Sequence, residues 1–192
     1  MLGCHATTIS ESGSVPSPVV KMLTRPGRAA LFDRRVFTEA YFDDDAMADG
    51  AIIVALVGAV SYVGVLAWFG VLGRFDVVGL VQALIYSVAS WLILGFATWF
   101  AATRLFGSSC RYQTLIAMQG LAVLPLLFEI FGTPLSWIGL AWYLAILVVA
   151  TKEGADLDYK LASVSVLIGF AVAAVVRILM GASFGLFSRL FV

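Results

Sequence analysis

The stretch AIIVALVGAVSYVGVLAWFGVLG, residues 51–73, contains no charged side chain and is closed by Arg74-Phe75-Asp76. At 1.5 Å per residue a helix of that length reaches about 35 Å, enough to cross the roughly 30 Å of hydrocarbon in a bilayer. Working outward, four more windows of the same kind follow. They are 77–103, ending at Arg104; 114–131, containing Pro125 and Glu129; 135–150, after the turn Gly132-Thr133-Pro134; and 161–180, with Arg177 inside it. Uninterrupted apolar runs lack the alternation of a membrane barrel strand, so the spans are helices that satisfy their own backbone hydrogen bonds. The expected fold is an all-α integral membrane protein, a five-transmembrane-helix bundle over residues 48–192. Windows 114–131 and 135–150 are short enough to form a re-entrant hairpin, and two full spans is the preferred reading.

Composition agrees, with 61% hydrophobic and 12% charged residues against about 45–50% and 25% in soluble domains. Residues 1–50 hold half the charges. Residues 1–25, mixed Ser, Thr, Val, Gly and Pro, read as a disordered lead in which Met22 is an alternative start. Residues 26–47 read as one cytosolic or interfacial amphipathic helix with Phe32, Val36, Ala40 and Tyr41 on one side. Asp43, Asp44 and Asp45 suit the positive end of the next helix. Placing the N-terminus inside collects Lys21, Arg25, Arg28, Arg34, Arg35, Arg104, Arg111, Lys152 and Lys160 on one side, against Arg74, Arg189 and Arg177 on the other. The positive-inside rule therefore puts the N-terminus in the cytosol and the C-terminus outside the cytoplasmic membrane.

Several chemistries have no material to work with. The cysteines are Cys4 and Cys110 and the one histidine is His5, so neither a disulfide framework nor a Cys/His metal site is expected. No catalytic triad, paired intramembrane carboxylates or phosphate-binding loop can be assembled. The expectation is a protein without enzymatic activity, cofactor, metal or nucleic-acid partner.

Four stretches carry a resemblance. They are Thr24-Arg25-Pro26-Gly27-Arg28 leading to Leu31, Phe32 and Phe37; Ser109-Cys110-Arg111-Tyr112-Gln113-Thr114; Gln119-Gly120-Leu121-Ala122-Val123-Leu124-Pro125; and Lys152 to Ala162 before the last span. Over roughly residues 24–181 the chain resembles the Yip family (Ypt/Rab-interacting proteins), whose membrane domain has a cytosolic N-terminal part and five packed helices. Leu121 stands where the family commonly has tyrosine in a Gly-Tyr-Ala motif followed by proline. The acidic, Gly-Pro-containing motif of eukaryotic members is missing, so the resemblance, closest to the prokaryotic branch, does not imply binding to Rab-type GTPases. It implies a role in membrane organisation or trafficking through contacts with lipids, other membrane proteins or a second copy of the chain. A small transporter or channel using Glu129 and Arg177, or an accessory subunit of a larger complex, is the alternative.

Ionisable residues inside spans are costly and are generally paired or placed on a pathway. Glu129 and Arg177 lie 15 and 16 residues into two parallel spans, roughly 22–24 Å from the same boundary. An intramembrane ion pair is the expectation. Ser165, Gly169, Ala173, Gly181 and Gly185 recur around Arg177 at helical spacing, as do Gly79, Ala83 and Ser87 in the second span. Both are read as packing seams. Pro125 should kink the third span, and Gln82 and Gln119 are read as interhelical hydrogen-bonders.

Overall fold

The computed structural model describes residues 18–68, 70 and 75–190, and these are helical with no strand among them. Of the lead read as disordered, residues 1–17 lie outside this range, whereas residues 18–25 are helical, held to the bundle by the buried Arg25. Two short helices, α1 (Pro18–Ala30) and α2 (Arg34–Tyr41), precede five longer segments. These are α3 (Ala46–Trp68); α4 (Val77–Phe100), continued by a π turn over Ala101–Leu105; α5 (Tyr112–Leu121), continued by a 3-10 helix over Leu124–Phe131; α6 (Thr133–Ala155); and α7 (Tyr159–Leu190). All five segments contain a helical stretch long and apolar enough to cross a membrane. Outward faces carry large apolar side chains, as with Ile52, Leu56, Val60 and Val63 on α3, a stripe at helical spacing that suits lipid better than water.

The span boundaries extend beyond the apolar windows. The first begins at Ala46 instead of 51, taking in Asp49, and the fourth runs to Ala155 instead of 150. Polar residues at helix ends lower a hydropathy window without ending the helix. Asp76 caps α4 by accepting from the Gly79 N–H. Asp156, with φ of 50°, ends α6 in the left-handed conformation, while Leu157 N–H closes onto Lys152 C=O at 3.3 Å. Such a residue stops a helix as glycine more often does.

α5 is the centre of the bundle, with every residue from Leu115 to Val123 buried. α3 crosses it where two glycines meet. A Cβ built on Gly120 would stand 2.8 Å from Gly50 Cα and 3.1 Å from Trp91 Cζ2 of α4, so two backbones and an indole share a space that admits no side chain. α5 ends at Leu121, whose carbonyl would accept from the N–H of residue 125 in an α-helix. Having no N–H, Pro125 cannot make that bond, and the segment goes on as 3-10.

The single amphipathic helix expected over 26–47 is instead two helices. Phe32 turns the chain with φ of 59°, and Asp33 then caps α2, accepting from Arg35 N–H at 3.0 Å. The break changes which faces are covered. Val36, Phe37 and Ala40 join the core with α5 and α6, while Phe32 and Tyr41, expected on the same side, stay exposed. The Trp142 indole N–H donates to Ala30 C=O at 3.0 Å, tying α1 to α6. Arg25, only 7% exposed, pairs with Asp43 at 2.6 Å and Asp49 at 3.3 Å, joining α1 to the start of α3. Arg28 bridges Asp33 and Glu39, and its guanidinium holds the Asp33 carboxyl below the usual carboxylate range. Arg34 donates to the Tyr159 hydroxyl and reaches Glu153 at 3.9 Å. The N-terminal helices are thereby fastened to the end of the bundle at which α6 stops and α7 starts, here called the basic end.

Candidate binding cavity

On α3, Val54, Val57, Gly58, Ser61, Tyr62 and Val65 recur three and four residues apart, and on α4 Ala83, Tyr86, Ser87, Ser90, Trp91 and Leu94 repeat the same spacing. Such spacing puts each set on one helix face. The two faces meet closely at the small residues. A Cβ on Gly58 would lie 2.6 Å from the Ser87 side chain, and Ser87 Oγ donates to Val54 C=O at 2.8 Å. α4 and α7 meet where Gly169 abuts Thr98, and Thr98 donates to Leu94 C=O at 2.8 Å.

Between these contacts the helices stand apart. The gap is a partly open cavity of about 380 Å³ walled by the two stripes, by Phe170, Ala173 and Ala174 of α7, by Leu140 and Tyr143 of α6, and by Val123, Leu126 and Glu129 beside or on the 3-10 helix. It lies in the half of the bundle away from the basic end. Its size is at the small end of the range for ligand pockets, and its make-up, apolar walls with a few polar groups, is that of such pockets. The polar groups are the hydroxyls of Ser61, Tyr62, Tyr86, Ser87, Ser90 and Tyr143, and the Glu129 carboxylate. Trp91, 4% exposed, forms part of the wall, and its buried indole N–H has no acceptor among the described residues.

The structure distributes the candidates read from the sequence as follows. Glu129 is exposed at the cavity, and no cation pairs with it among the described side chains. The side chain of its expected partner Arg177 lies outside those described. Ser165 and Gly169 are buried, as packing positions should be, whereas Ala173, one turn on, faces the cavity. In the second seam Gly79 packs near Tyr62 and Ser87 packs against Gly58, and Ala83 and Ser87 also border the cavity. The burial of Gly181 and Gly185 lies outside the description. Gln82 is exposed, and Gln119 is buried with neither amide atom partnered among the described residues, so neither makes the expected interhelical bond. Sequence reasoning missed the cavity itself, although the matching spacing on α3 and α4 was its visible trace.

Cys110 sits in the loop before α5, half-buried, next to the bond from Ser108 Oγ to Ala155 C=O. Burial pushes its thiol up from the usual range, which lowers the thiolate fraction at neutral pH. In a Cys4→Ser background, maleimide labelling of the folded protein at pH 7 should run at least several-fold slower than that of the unfolded chain. The rate should still be rising above pH 9. A rate equal to that of the unfolded chain would contradict the burial.

Among the described residues no group of three His, Cys, Asp or Glu is placed to hold a metal. Compared with family models, curated proteins and solved structures, the chain shows no match to any of them.

Proposed function

We propose that the protein is a non-enzymatic, five-span protein of the cytoplasmic membrane, with its N-terminus in the cytosol, that acts through contacts with lipids and other membrane proteins as a Yip-type organising factor. The observation that carries this reading is the α1–α2 unit. Ion pairs and buried apolar residues fasten it to the bundle, yet it holds Leu31 and Phe42 out at 77% and 80% exposure. Exposed apolar side chains on a fixed polar platform are the composition of a contact surface.

The test is crosslinking and purification from native membranes. Specific partners recovered with the wild-type chain should be lost with Leu31→Asp plus Phe42→Asp, at unchanged protein level. Identical recovery with the double variant would remove the basis of the proposal.

A second reading, a small transporter or channel, draws on Glu129 at the cavity. Solute or ion flux in proteoliposomes, abolished by Glu129→Gln, would replace the first reading with this one.

A further inference from the structure

We infer that the cavity between α3, α4 and α7 is a binding site for a small lipophilic organic cation, with Glu129 as its counter-charge and aromatic rings as its walls. Among the described residues that line the cavity, Glu129 is the one carboxylate, and no lysine, arginine or histidine is among them. A carboxylate at the edge of a mostly apolar cavity, with no cation beside it among the described side chains, is placed to act as the counter-charge of a bound cation.

The wall composition narrows the class. Tyr62, Tyr86, Tyr143, Trp91 and Phe170 border the same space, and aromatic faces are the favoured surround for ammonium groups that carry carbon substituents. A metal ion would need several oxygen or nitrogen donors held at short range, and the described residues place no such group of acidic, histidine or cysteine side chains anywhere. A neutral acyl chain would have no use for the carboxylate. A volume of about 380 Å³ admits a single-ring amine or quaternary ammonium. The site requires no movement of its ligand across the membrane, so it stands independently of the function proposed above.

The full chain in a non-ionic detergent, titrated calorimetrically with benzyltrimethylammonium, tests the inference. Its neutral carbon isostere, neopentylbenzene, and the anion phenylmethanesulfonate serve as the comparison ligands. Saturable binding of the cation is expected, at least tenfold tighter than that of either comparison ligand. Glu129→Gln, a change at an exposed position that should leave folding intact, is expected to lower cation affinity at least tenfold and to leave that of the isostere unchanged. Ser61→Phe, which fills the cavity from α3, is expected to weaken both. No saturable cation binding, equal affinity for cation and isostere, or unchanged cation affinity in Glu129→Gln would each overturn the inference.

Discussion

Gly120→Val is expected to lower the melting temperature of the protein in detergent by roughly 6–12 °C, a loss of about 3 kcal/mol for a chain of this length. The cause is the crossing of α3 over α5. The first carbon of any side chain at 120 would meet Gly50 Cα at 2.8 Å and Gly50 carbonyl carbon at 3.1 Å. Backbone atoms cannot step aside as a side-chain tip can, so relief comes only by moving α3 away from the central helix, which opens the core on both sides. The partner position supplies the control. A Cβ on Gly50 would find Ala117 O at 3.3 Å and Gly120 Cα at 3.4 Å, tight but tolerable, so Gly50→Ala should cost less than about 1 kcal/mol. Equal melting temperatures for wild type and Gly120→Val would show that the two helices do not approach this closely.

Arg25→Met is the other large effect, with an expected cost of about 2–3 kcal/mol. Removing one partner of a buried ion pair costs roughly 3–5 kcal/mol because a charge is left without compensation. Here the figure is reduced because Asp43 and Asp49 retain 31% and 21% of their side-chain exposure. The guanidinium makes both contacts at once through different nitrogens, Nη2 to Asp43 and Nη1 to Asp49. Arg25→Lys, which keeps the charge but not the fork, should fall between wild type and methionine. Thermal melting of the three proteins side by side decides it. If methionine melts with wild type, the clamp does not hold α1 to α3.

These two sites illustrate what could be read from residues alone. The five apolar segments were legible because each is a local property of consecutive residues, and Pro125 was legible because a missing N–H acts on the helix that contains it. Arg25 was not legible as a clamp. Its partners lie 18 and 24 residues away, and nothing local separates it from the solvated cations nearby. The division of 26–47 into two helices was hidden in the backbone of Phe32, a residue with no preference for the left-handed turn it adopts. The cavity was the least accessible feature, because a void belongs to no segment. It is set by where Gly58 and Gly169 bring helices together and by how far the helices diverge beyond them.

The 3-10 helix has a directional consequence. Successive residues turn by about 100° in an α-helix and about 120° in a 3-10 helix, and Glu129 is five positions beyond Leu124, where the 3-10 helix begins. The accumulated difference is about 100°, more than a quarter of a revolution. Had the segment continued as an α-helix, the carboxylate of Glu129 would point along a different bearing, away from the space it now borders. A proline four positions earlier in the chain, through a hydrogen bond it cannot donate, sets the compass heading of the one acidic group among the described residues of the cavity wall.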